Sequence, residues 1–143
     1  MGVKKVFFDT NILFYAHDED AGGKHEVAAA AVRSAWNQAV YPVISVQVLQ
    51  EFLHNLRKKL QDIDKAIAVA EDYTAWPVIA NDLSLFRSGT GIMRRYQISL
   101  WDAMIVAAAN RAGVDELWTE DLNAGQIYGS VLAVNPFAAT AAE

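Results

Sequence analysis

The sequence predicts an α/β fold with a mainly parallel sheet covered by helices on both faces, and three observations lead there. Short apolar runs alternate with longer helical patterns along the chain, as parallel sheets with helical crossovers require. The first run, KKVFF, turns continuously apolar rather than alternating, as a strand buried on both sides does. At 143 residues and 53% hydrophobic content, the chain is of one-domain size with enough apolar surface for a sizeable core.

The elements follow in order. KKVFF is the first strand. Lys24 to Ala39, rich in alanine, is a helix. Tyr41 to Ser45 is a second strand. Val46 to about Leu60 is a helix with Leu49, Phe52, Leu53, Leu56 and Leu60 on one stripe. Asp62 caps a helix running to Trp76, and Pro77 marks its end. PVIA is a short strand. Asn81 to Arg95 has a helical pattern that Gly89 and Gly91 weaken. Ser99 to Ala112 is a strong helix closed by Gly113. ELWT and Ser130 to Val134 are the last strands. One domain is expected over residues 1–137, with a frayed tail at 138–143.

Composition narrows the function. The chain has no cysteine, which removes disulfides, thiolate metal sites and a cysteine nucleophile. LWDAMIVAAANRAGV carries Asp102 and Asn110 and is too short to span a bilayer. MGVKK leads straight into a strand pattern with no signal-peptide apolar region, so a cytoplasmic protein with no membrane partner is expected. The formal net charge of −5 argues against a simple basic nucleic-acid binder and suits a protein that gathers carboxylates around a cation. Walker A, G-x-G-x-x-G, H-E-x-x-H and G-x-S-x-G motifs are all missing from the sequence.

The residues that carry chemistry are acids at element ends. In VFFDTNILFYA, Asp9 stands at the carboxyl end of the first strand, where open parallel sheets present their ligand crevice. Asp9 or Asn11 could equally cap the helix that follows. ELWT ends the same way, in Thr119, Glu120 and Asp121. Asp102 opens a nearly all-apolar helix, where Ser99 and Asp102 also form a capping box. Glu51 lies opposite the leucine stripe of its helix, the position of a solvated glutamate or of a site residue. With His54 it makes a Glu-x-x-His pair, but a di-iron bundle needs a second copy, and the sequence has one. Converging carboxylates repel one another and raise each other's pKa, a penalty that a hard divalent cation removes. Such a cation can also hold a phosphodiester and activate water. Asn11, with Thr10 or Thr119, would orient these groups.

Taken in order, VFFDTNILFYA, SVQVLQEFLHN, SLWDAMIVAAA and LWTEDLNAGQ closing on VNPF resemble a PIN-domain nuclease, from Val3 to Phe137. Among PIN domains, the bare domain is most similar to the VapC-type toxins of prokaryotic toxin–antitoxin pairs. The resemblance implies a PIN-like three-layer α/β/α fold and an endoribonuclease using one or two Mg²⁺ or Mn²⁺ ions. It places Asp9, Glu51, Asp102 and Asp121 at the acidic metal-site positions. Asn11 and Thr119 match the family's asparagine and Ser/Thr, and Asn123 is an accessory candidate. Glu120 matches no fixed acidic position. The resemblance also implies a homodimer, an RNA substrate and a cognate antitoxin.

Other features keep two readings at this stage. Arg57-Lys58-Lys59 and Arg94-Arg95 are phosphate contacts or ordinary helix C-terminal cations. Of Trp36, Trp76, Trp101 and Trp118, at least three are expected in the core, although all could stack on bases. His17 and His25, flanking the Asp18–Gly23 loop, are expected to be exposed. Two other functions compete: a phosphatase using Asp9 as nucleophile, for which Asn11 stands where a second aspartate is usual, and a non-catalytic binding module.

Overall fold

The computed structural model describes residues 4–138. All but the first residue of the expected frayed tail lie outside that range. The chain runs β1 (Val6–Phe8), α1 (Thr10–Ala16), α2 (Gly23–Trp36), β2 (Ile44–Ser45), α3 (Val46–Leu60), α4 (Ile63–Asp72), β3 (Val78–Ile79), α5 (Leu83–Tyr96), α6 (Leu100–Ala112), β4 (Glu116–Trp118), β5 (Ile127–Tyr128) and β6 (Val131–Val134).

The strand order β1-β4-β6-β5 is parallel except for the last pair. A parallel β2–β3 pair joins the free side of β1 through one bridge, Phe7 to Val43. The two pieces together read β3-β2-β1-β4-β6-β5. Phe7 and Phe8 point to opposite faces and are both buried, as is Leu117 beside them. Both faces of the centre are therefore covered, which makes the three layers helix, sheet, helix. From β1 the chain proceeds to β2 on one side and returns later to β4 on the other. The boundary between β1 and β4 is thus a topological switch point, where the carboxyl ends of the strands leave a crevice.

Caps set most helix starts. Asp9 accepts from the Thr10 amide, Ser45 from Val48, Asp62 from Lys65, Asp82 from Leu85 and Ser99 from Asp102. Each cap satisfies an amide that the helix cannot. The ends differ from expectation in instructive places. Helix α2 stops at Trp36 rather than Ala39. There Trp36 turns in to pack on Tyr41, Tyr73 and Trp76. The segment to Trp76 is not one α-helix: it tightens into a 3₁₀ turn at Tyr73–Ala75, and Trp76 is extended, as a residue before proline prefers. The Tyr41–Ser45 strand shortens to Ile44–Ser45, since Pro42 has no amide to give the ladder.

Strand β5 had no sequence signal of its own. It exists because Asn110 of α6 holds the β5–β6 turn. Its amide donates to the Tyr128 carbonyl at 3.1 Å, and its Oδ1 accepts from the Ser130 amide and hydroxyl at 2.9 Å each. Gly129 in that turn has φ +67°, and a Cβ there would meet the Asn110 side chain.

Two expectations about exposure change. His17 is half-buried, bonded to the Tyr73 hydroxyl at 2.7 Å and packed on Phe52, while His25 meets the Tyr15 carbonyl at 2.8 Å. Neither is a free loop side chain. The expectation for tryptophan holds: Trp36, Trp76 and Trp118 pack against the core, and Trp101 is 67% exposed.

Helix α5 forms through both of its glycines, and they behave oppositely. Gly89 is buried where α5 meets α6, and a Cβ there would run into Met104 Sδ, whereas Gly91 faces open space. Gly91→Ala is expected to stabilise the protein by about 0.5–1 kcal/mol through helix propensity alone. Gly89→Val is expected to destabilise it by about 1–3 kcal/mol by overpacking. Paired urea denaturation curves check this, and equal shifts for both variants would contradict the close α5–α6 approach.

Candidate active site

The switch point opens into a cleft of about 620 Å³. Five carboxylates line it, Asp9, Glu51, Asp102, Glu120 and Asp121, against two lysines, Lys58 and Lys59. Four elements supply the four acids singled out in the sequence: the ends of β1 and β4, the middle of α3 and the first turn of α6.

Asp9 is the most constrained. It is buried and accepts from the Thr10 amide at 2.7 Å and from the Thr119 hydroxyl at 2.7 Å. The cap and site readings of Asp9 are therefore compatible, since one carboxylate does both. Thr119, itself buried, also accepts from the Asp121 amide at 3.1 Å, so it ties the two strand ends together. Thr10 donates its hydroxyl to Glu51 at 3.0 Å, joining β1 to α3. Asn11 donates its amide to Asp121 at 3.1 Å, and its buried Oδ1 has no protein partner.

Electrostatics follow from this packing. Burial pushes the Asp9 carboxyl up to about 7, against the pull of the Thr119 and Thr10 hydrogen bonds. The charges of Asp121 and Glu51 push it further in the same direction. Partial burial also raises Asp121, which Asp102, Glu120 and Glu51 repel, and Asn11 offsets part of this. Asp102 is raised by burial and eased by Ser99.

The acids face one cleft without closing on a point. Among the described residues, no three carboxylate or imidazole side chains form a ready metal cage. The acids offer oxygen donors only, and Asn11, whose buried Oδ1 has no protein partner, lines the same cleft. That chemistry suits Mg²⁺ or Mn²⁺, which take few carboxylates and keep several waters.

The face of α3 opposite the leucine stripe, which could have been solvated, lines the cleft. Gln47, Glu51, Asn55 and Lys58 stand along it at helical spacing. Gln47 links α3 to α6 by donating to the Trp101 carbonyl at 3.1 Å. Gln47 was not among the residues singled out in the sequence, although a polar stripe at that spacing was its signal. Glu120, which matched no fixed acidic position, also lines the cleft and is held by the Tyr15 hydroxyl and, at 2.9 Å, by Lys24. Asn123 stays away from the cleft: its amide side chain bonds Gln126 at 3.1 Å within its own loop. Arg94 and Arg95 likewise lie outside the cleft lining.

A PIN-domain family model matches residues 6–129, and the chain belongs to that family. Solved structures share its fold. The VapC20 toxin of Mycobacterium tuberculosis, described as cleaving the sarcin–ricin loop, superposes with a TM-score of 0.66 at 21% identity, over 82% of this chain and 92% of that one. A toxin–antitoxin complex from Klebsiella pneumoniae gives 0.65 at 22% identity, over 93% and 98%. DNA-bound VapBC from Salmonella typhimurium gives 0.66 at 18%, over 94% and 99%. No curated protein sequence matches significantly. No helix among the described residues is long and apolar enough to cross a membrane.

The raised Asp9 carboxyl has a consequence for stability. Between the ordinary carboxylate range near 3.8 and about 7, the native state holds a proton that the unfolded chain has released. Stability contributed by this group is therefore complete at low pH and declines as pH rises through that window. The metal-free protein is expected to lose on the order of a few kcal/mol from this source by pH 8, and Asp9→Asn to lose none of it. Melting curves at pH 5, 6.5 and 8 check this. The gap in Tm between variant and wild type should widen with pH, and a constant gap would sink the assignment.

Proposed function

We propose that this chain is a divalent-metal-dependent endoribonuclease and the toxin of a toxin–antitoxin pair. The observation that carries the proposal is four carboxylates from four separate elements on one open cleft, at the switch point of a PIN-domain fold. Isolated caps and surface acids would not all line one cleft. The neighbours described as toxins and toxin–antitoxin complexes support the biological setting. On that basis the chain works in the cytoplasm, pairs as a homodimer and is held in check by an antitoxin chain.

Asp9, Glu51, Asp102 and Asp121 would hold one or two Mg²⁺ or Mn²⁺ ions, with Asn11 bonded to Asp121. When bound there, the cation supplies charge to balance a phosphodiester in hydrolysis and acidity for the attacking water. The chain's own residues do the positioning. Thr10 and Thr119 fix both oxygens of Asp9, Asn11 fixes Asp121, and the Thr10 hydroxyl fixes Glu51. The Ser99 cap fixes the first turn of α6, so that Asp102 enters the cleft from a rigid helix end. Such preorganisation favours the transition state because little has to move when charge develops.

Incubating a mixed pool of structured and single-stranded RNAs with the protein tests the proposal. Cutting is expected with Mg²⁺ or Mn²⁺ and to stop in EDTA, and Asp9→Asn should reduce it about 100-fold or more. Cutting that survives both EDTA and Asp9→Asn would overturn the assignment. Failure to cut together with failure to bind Mn²⁺ would favour a non-catalytic module.

A further inference from the structure

Two side chains that line the cleft, Trp101 and Lys58, have no ring or ion-pair partner among the described residues. Trp101 is 67% exposed, while the other three tryptophans pack against the core. An exposed indole that lines the cleft offers a flat face on which a base can stack. Its backbone is not loose. Gln47 donates to the Trp101 carbonyl at 3.1 Å, which ties the backbone of the first turn of α6 to α3.

Across the cleft, α3 presents two lysines in different states. Lys59 is committed to Asp18 at 2.9 Å and to Asp20. Lys24, near the same mouth, is committed to Glu120. Among the described residues, Lys58 lines the cleft with no ion-pair partner. It also lines the adjoining hollow of about 420 Å³, together with His54 and Arg57. Lys58 thus borders both the acidic cleft and this second hollow, which Asp62 lines as well. A polyanion crossing five carboxylates needs such a foothold.

We infer that Trp101 and Lys58 form a clamp for an unpaired RNA strand, the indole stacking on a base beside the cut and the ammonium holding a neighbouring phosphate. This rests on the nuclease reading above. A base must leave its helix to expose a face to an indole, so the clamp selects single-stranded or looped substrate. The alternative occupant, a basic peptide entering the acidic cleft, would meet Lys58 as a like charge.

The test is steady-state cleavage of a single-stranded RNA that the wild type cuts, with the same strand annealed to its complement as control. Trp101→Ala is expected to raise KM about ten-fold, a typical cost of losing one stacked base, with the loss in KM rather than in kcat. Trp101→Phe should recover most of it. Lys58→Gln should raise KM and reduce the slope of log KM against log salt concentration by about one. Trp101 is exposed, so unchanged melting temperatures should accompany these effects. As a second readout, Asp9→Asn protein should lose tryptophan fluorescence on binding the RNA, and adding Trp101→Phe should abolish that quench. Cleavage with unchanged KM in Trp101→Ala, or a quench that persists without Trp101, overturns the clamp and leaves the nuclease standing. Effects of these variants on inhibition by a protein partner, with no change toward RNA, overturn it as well. Wild-type protein that neither cuts nor binds RNA overturns both readings together.

Discussion

The structure depends on keeping one carboxylate, Asp9, out of water. Removing a charge from solvent is expensive, and the fold offsets that cost locally rather than avoiding it. An amide at the start of α1 and a hydroxyl at the end of β4 each take one oxygen of Asp9. These two bonds join neighbouring strand ends and the first helix into one unit. The residual strain appears as a proton affinity near neutrality. A group poised there exchanges its proton for a cation at little expense, whereas a fully solvated aspartate gains less from either.

Topology explains why these residues meet although they are far apart in sequence. Chain reversal at β1 leaves a gap above the β1–β4 boundary that no crossover fills. The elements that supply Asp9, Asp102 and Asp121 begin or end there, so capping residues and site residues often coincide, while α3 supplies Glu51 from its middle. Ser99 illustrates this: by starting α6 it also aims Asp102. A stop signal for a helix or strand is at once a placement device for a functional group. The bland and the chemical readings of such residues are therefore not true alternatives.

Much of this was legible in the sequence, for physical reasons that also mark where legibility ends. The helices with N-caps and apolar stripes could be read because those signals are local. Asp9 and Asp121 stood out locally as carboxylates that follow apolar runs, whereas Glu51 and Asp102 were singled out as site acids by the resemblance. Strand β5 could not be read, because Ile127 and Tyr128 pair only once Asn110, from a helix earlier in the chain, has fixed their turn. His17 could not be read as half-buried, because its partners Tyr73 and Phe52 come from other elements. The basic run Arg57-Lys58-Lys59 looked uniform in sequence, and only the partners Asp18 and Asp20 separate its members. Local pattern reports what each residue could do, and long-range contacts decide which remain free to do it.

The short outer strands have a consequence of a different kind. Both margins of the composite sheet end in two-residue strands, β3 at one side and β5 at the other. Pro77 precedes the first, and the second folds back as an antiparallel hairpin against β6. Each margin offers too little open backbone to template another strand. Copies of this protein that crowd together are thus shielded from edge-to-edge aggregation.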